Sequence, residues 1–175
     1  MGDADQLTRF EQAVVPHLDA AYNLARWLTR RDHDAEDVVQ EATLRAYRSF
    51  DRFRGGDGRA WLLAIVRNTC YTWLEKNRAR EPVTAFDEEK HSGPGGTEAP
   101  DSGLLRDEER QRLGRALEEL PPEFREVIVL RELEGLSYKE IAAVAGVPLG
   151  TVMSRLARGR QRLQECLVGR LDEGP

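Results

Sequence analysis

Apolar residues recur along this 175-residue chain at three- and four-residue intervals and never in sustained alternation, so the pattern predicts helices and no strands. In a first helical segment, from about Leu7 to Arg30, Phe10, Val14, Leu18, Ala21, Tyr22, Ala25 and Leu28 share one side. Pro16 has no N–H to give to a helix, so a break is expected near Val15, with Pro16 in the first turn of the longer piece. Asp34 is then expected to cap a second helix with a stripe of Ala35, Val39, Ala42, Ala46 and Phe50, and Val38 alongside. A glycine-rich turn, RGGDGR, precedes a third helix expected from Trp61, apolar almost all round and therefore buried. Further on, Leu104, Leu113 and Leu117 lie on a helix ending at Leu120. Pro121-Pro122 breaks it, and Phe124, Val127, Ile128 and Leu130 mark the next helix, which Gly135 ends.

The stretch from Leu136 to Leu163 has the clearest local grammar. Ser137 and Glu140 have the spacing of a capping box, with Leu136 and Ile141 placed as a hydrophobic staple. Gly146 and Pro148 stop that helix. On the following helix Val152, Leu156, Gly159 and Leu163 fall on one face. The other face carries Thr151, Met153, Ser154, Arg155, Arg158, Gln161 and Arg162, with Arg160 near the border, and no acidic residue occurs from Ile141 to Gln164. A short capped helix, a tight turn and a helix that is apolar on one side and cationic on the other form a helix-turn-helix pattern. An amphipathic hairpin with a solvated basic face is the alternative, and the acid-free face favours DNA binding.

Net charge, −5 overall, is informative only in its distribution. Residues 1–81 hold 13 basic and 13 acidic side chains, residues 82–109 hold 2 against 8, and residues 110–175 hold 11 against 10. The excess acid is central, so both flanks are free to carry cationic faces. Between Glu81 and Ser102 periodicity is lost in favour of Pro, Gly, Ser and acid, the composition of a flexible tether dividing two domains. Cys70 and Cys166 stand alone, no apolar run approaches the ~20 residues of a membrane span, and the opening MGDADQLTRF lacks a signal pattern. A chain of the reducing cytoplasm, with no membrane segment, metal site or cofactor, is expected. No nucleophile–base set or paired carboxylates mark an enzyme.

Two faces admit two readings each. Asp37, Gln40, Glu41, Leu44 and Arg48 form the outer side of the second helix, which by itself reads as solvated, although Leu44 among polar neighbours fits a protein contact. In TCYTWLEKNRAR, Tyr71 and Trp73 accompany Arg67, Lys76, Arg78 and Arg80. Aromatics packed in a core with cations on the wet side would give this pattern, and so would a single-strand nucleic-acid surface.

The motifs DAEDVVQEATLRAY, WLLAIVRNTCYTWL with its basic tail, LEELPPEFREVIVLRELEGLSYKEIA and GTVMSRLARGRQRL, in this order around an acidic tether, resemble bacterial RNA polymerase sigma factors of the extracytoplasmic-function type. The resemblance runs from about Phe10 to Leu167. It implies an all-α fold of two small helical domains: sigma domain 2 over 1–81, a flexible acidic linker over 82–103, and sigma domain 4 with its helix-turn-helix over 104–175. It implies that Asp37, Gln40, Glu41 and Leu44 dock on the β′ coiled coil of core RNA polymerase, with the β flap as a further contact. By the same resemblance Arg67, Asn68, Tyr71, Thr72, Trp73, Lys76, Arg78 and Arg80 melt and read the −10 element as single strand, with Thr72 at the base-reading position. Gly150, Thr151, Met153, Ser154, Arg155 and Arg158 would enter the major groove of the −35 element, and Arg160 and Arg162 would hold phosphates. Met153 departs from the polar residue common in the family and can offer only an apolar contact. An anti-sigma partner is implied as well. A free-standing helix-turn-helix regulator is the alternative, and it would need neither the acidic docking helix nor the aromatic–basic segment.

Overall fold

The computed structural model describes residues 2–78 and 103–172, and every regular element among them is helical. The acidic linker expected at 82–103 lies outside the described residues except at Gly103, and Arg80 lies outside them too. In the first half, α1 (Asp3–Val14) passes through a single 3-10 turn, Val15–His17, into α2 (Leu18–Thr29). Pro16 occupies that turn, where its missing N–H costs nothing. Next come α3 (Asp32–Arg48) and α4 (Gly58–Arg78). The second half comprises α5 (Gly103–Glu119), α6 (Pro122–Ile128), a π turn over Val129–Leu133, α7 (Tyr138–Ala145) and α8 (Leu149–Asp172).

Three expectations shift by local physics. α3 begins at Asp32 with extended Arg31 as its cap, leaving Asp34 inside the first turn. Arg30 adopts a left-handed conformation (φ 67°) that ends α2, and Asp32 pairs with Arg26, so the polar connection shrinks. α4 begins at Gly58, three residues before Trp61, because the Asp57 carboxylate accepts from the Arg59 and Ala60 backbone N–H groups at 3.0 and 3.3 Å. A side chain could not replace Gly58, whose Cβ would stand 2.7 Å from the Ala13 carbonyl oxygen of α1. Leu113 is 40% exposed although it belongs to the apolar series of α5; from residue 105 onward burial on that helix is confined to its end, at Ala116 and Leu117, with Leu120 just beyond.

Within the first half α2, α3 and α4 pack on one another around Leu24, Leu28, Leu62, Leu63 and Val66, with α1 laid across α4. Within the second, α6 packs on α8 and α7 on α8, around Val127, Leu130, Ile141, Val152 and Leu156. The capping box forms in both directions, Ser137 Oγ accepting from the Glu140 N–H at 3.1 Å and Glu140 Oε1 from the Ser137 N–H at 3.1 Å. Gly146 takes the left-handed conformation (φ 67°) that ends α7.

The two helical domains pack against each other. Their buried side chains form one continuous cluster, with α4 against α7 and α2 against α6. α6 is the reason: every residue from Phe124 to Leu130 is buried, Arg125 and Glu126 included. A helix buried all round needs neighbours on every side, and α5, α7 and α8 cannot supply them all. Polar bonds cross the same boundary. Asn23 donates to Glu134 at 3.2 Å, Arg59 donates to the Glu134 carbonyl at 3.3 Å and to Glu140 at 3.1 Å, and Arg125 donates to the Trp27 carbonyl at 2.8 Å.

Candidate nucleic-acid interface

The N-terminal end of α8 follows Pro148 and stands clear of the core, because Val152 and Leu156 are the positions it buries. Gly150, Met153, Ser154 and Arg158 are exposed, Met153 by 52%, while Thr151 and Arg155 are half-buried. Ser154 Oγ donates to the Thr151 carbonyl at 3.1 Å. Farther along the helix the cations are engaged: Arg160 pairs with Glu132 at 2.7 Å, and the Arg162 guanidinium lies 4.9 Å above the Phe124 ring centroid. Both remain at the surface, where such pairs exchange readily for phosphate.

The expected single-strand surface is divided. Asn68, Lys76 and Arg78 are exposed. Thr72 is half-buried and its hydroxyl donates to the Asn68 carbonyl at 3.0 Å; Trp73, also half-buried, packs against the core. Arg67 and Tyr71, one turn apart on α4, turn inward. The Arg67 guanidinium carbon sits 3.9 Å from the Tyr71 ring centroid, and its Nε donates to both carboxylate oxygens of Glu126 at 3.2 and 3.3 Å. Burial pushes the Tyr71 phenol up, aided by the nearby Glu126 charge. Burial likewise raises the Glu126 carboxyl, against the opposing effects of Tyr71, Arg67 and Arg155, and lifts the neighbouring Cys70 thiol to about 12. Cys70 is thus an inert core residue.

On α3 the structure exposes all four residues of the expected docking face, with Leu44 at 54%. Asp37 lies 3.6 Å from His33, and Glu41 accepts from Arg45 at 3.0 Å. Gln40 and Leu44 complete a shallow acidic face with an apolar spot, suited to a cationic protein surface carrying an apolar side chain.

Sequence reasoning missed Glu126, Arg125 and Arg59, which join the halves. A signal for the first two exists: Arg125-Glu126 interrupts an otherwise apolar run, Phe124 to Leu130, in a segment with no polar side of its own.

A sigma-70 region 2 family model matches residues 13–80, and a sigma-70 region 4 model matches residues 110–163. The ECF RNA polymerase sigma factor SigE of Mycolicibacterium smegmatis is 38% identical over 169 residues, an alignment covering 95% of this chain and 65% of that protein. The ECF RNA polymerase sigma-E factor of Escherichia coli is 42% identical over 137 residues, covering 74% of this chain and 72% of the relative. The chain therefore spans somewhat under two thirds of the mycobacterial protein's length. Among solved structures, the sigma factor RpoE in complex with the anti-sigma factor NepR from Bartonella quintana superposes with a TM-score of 0.74 at 32% identity, over 91% of this chain and 96% of that one. CnrH, in complex with the cytosolic domain of CnrY, follows at 0.63 and 29%, over 91% and 88%.

Proposed function

This chain belongs to the ECF RNA polymerase sigma factors, and on that footing we propose that it binds core RNA polymerase and directs it to promoters carrying a −35 and a −10 element. Residues 1–81 serve as domain 2, 82–103 as the linker and 104–175 as domain 4. The role is non-catalytic and cytoplasmic; among the described residues no single helix is long and apolar enough to cross a membrane.

The observation that carries the reading is the pairing, in one chain, of an exposed acidic face on α3 with an exposed, acid-free N-terminal end of α8. Asp37, Gln40, Glu41 and Leu44 hold the β′ coiled coil, and domain 4 meets the β flap. Placed in a major groove, the α8 end offers Arg155 and Arg158 to guanine edges, Ser154 to shorter and less selective bonds, and Met153 to an apolar patch such as a thymine methyl. Gly150 and Thr151 enter the groove with them, and Arg160 and Arg162 add affinity without sequence information. Melting at the −10 element needs replacement of lost stacking. Tyr71 and Trp73 supply rings, Asn68 and Thr72 supply edge hydrogen bonds, and Arg67, Lys76, Arg78 and Arg80 track the strand. An anti-sigma protein is the regulatory partner, as in the complex of the sigma factor RpoE with the anti-sigma factor NepR.

Reconstituted transcription tests this. Core polymerase with the purified chain should yield discrete run-off transcripts from a subset of genomic fragments, and neither component alone should do so. Tight, sequence-specific duplex binding that needs no polymerase and yields no transcript would instead mark a free-standing regulator.

A further inference from the structure

The outward side of α8 is divided lengthwise. At about 100° per residue, Leu149, Met153 and Ala157 follow one another along one edge of it, and Arg155, Arg158 and Arg162 along the opposite edge. Gly150, Ser154 and Gln161 lie between the two edges. Arg160 shares the apolar side two turns beyond Met153, but it is paired with Glu132 at 2.7 Å. The apolar edge is therefore neutral over the first two turns of the helix.

The fold makes no use of that edge. Val152 and Leu156, which seat α8, are 0% and 1% exposed, whereas Leu149 and Met153 stand 48% and 52% exposed and Ala157 is exposed as well. Gly150 answers no packing need either, since a Cβ there would meet nothing within 4 Å. Its bareness serves contacts outside the chain, by letting the first turn approach an external surface to backbone distance. Charge selects that surface. It must offer anionic groups to one edge of an acid-free helix and small apolar groups to the other. The major groove of DNA offers both, as phosphates and guanine acceptors for arginine and as the thymine C5-methyl, the apolar group on the base edges. Leu149 and Met153, four residues apart, stand about 6 Å apart along the helix axis. A base step is about 3.4 Å, and the flexible thioether chain of Met153 takes up the difference, so the two side chains suit neighbouring base pairs.

We propose that Leu149 and Met153, with the small Ala157 behind them, form an apolar strip that reads the C5-methyl groups of two neighbouring thymines in the −35 element. Leu149 is thereby a specificity residue. This rests on the assignment of α8 to the −35 element. The cationic edge takes the guanine and phosphate side, so one helix reads the groove with two chemistries, one along each flank.

The test uses the full chain bound to core polymerase, and a duplex that this complex selects from a pool randomised over the −35 element. The selected element should carry two neighbouring thymines. Replacing either by deoxyuridine removes the methyl and keeps every hydrogen-bonding group, and binding should weaken about fourfold per methyl, the worth of burying one such group. On the same duplexes Leu149→Ala should abolish the response at one thymine and Met153→Ala the response at the other. Helical content should be unchanged in both variants, because both side chains are exposed. Full sensitivity to deoxyuridine at both thymines in both variants overturns the proposal, as does a selected element without a thymine pair. An equal loss on thymine and deoxyuridine duplexes overturns it too, since the strip would then touch DNA without reading it. If the complex enriches no −35 sequence at all, the proposal falls because α8 does not read that element, a failure distinct from that of its apolar edge.

Discussion

Replacing Arg125 by Met keeps the length and apolar stem of the side chain and deletes its guanidinium. Arg125 is 3% exposed, and its guanidinium donates to three carbonyls, those of Leu117 at 3.1 Å, Leu120 at 2.8 Å and Trp27 at 2.8 Å. Leu117 lies in the last turn of α5, Leu120 just past it and Trp27 in the last turn of α2, where carbonyls have lost their helical partners. Hydrogen bonds from a charged donor are worth ~1.5–3 kcal/mol each, so three amount to roughly 5–9 kcal/mol. Against this stands the cost of keeping the guanidinium from water, visible as the lowering of its pKa to about 10, chiefly through burial. At ~1.4 kcal/mol per unit, that cost is about 3 kcal/mol. The net loss expected for Arg125→Met is about 2–6 kcal/mol, a large share of the ~5–15 kcal/mol that holds a domain folded. Urea unfolding followed by circular dichroism should show a lower midpoint at unchanged slope. Arg125→Lys, which retains charge but lacks the planar fork, should recover only part of the loss. A loss below about 1 kcal/mol for Arg125→Met would mean that water satisfies these carbonyls and that the guanidinium is not what seats α5 and α2.

At the polymerase face, Glu41→Arg reverses an exposed charge paired with Arg45 on the same helix, so helical content should be unchanged while co-purification with core polymerase is lost; unaltered association would count against the docking role of α3. Arg158→Ala should weaken −35 binding by about 1–3 kcal/mol at one base position if the side chain reads a base, whereas an equal loss across promoter variants would make it a phosphate contact. Glu140 carries a pH dependence. The Ser137 backbone N–H, with smaller contributions from Asp57 and the Arg59 guanidinium, holds its carboxyl at about 2, against 4.5 ordinarily. Its contribution to stability is thus complete above pH 4.5 and lost as the pH falls toward 2, and acid titration of Glu140→Gln should be flatter across that window than that of the parent chain. Glu126 has the opposite sign, since burial raises its carboxyl and protonation favours the buried form, so parallel curves for parent and Glu140→Gln would show that the Ser137 and Arg59 bonds do not form in solution.

The local sequence determined much of this molecule. Apolar spacing, Pro16 and Gly146 laid down the helices, the Ser137–Glu140 box fixed the start of α7, and the stretch free of acid from Ile141 to Gln164 marked the outward face of α8. These features were legible because each is settled within one or two turns, by hydrogen bonds and side-chain periodicity that adjacent residues supply. The starts of α3 and α4 were less so, although they too are local: Arg30 takes a left-handed conformation that glycine more often fills, and Asp57 caps α4 from within a glycine-rich turn. Only the tertiary structure decided that α6 lies between the halves, and that Arg67 and Tyr71 face Glu126 instead of solvent. A partner 59 positions away leaves no periodic trace in sequence. Whether a charged side chain ends up wet or buried is set by the apolar area that closure removes from water, a property of two surfaces and not of either segment alone.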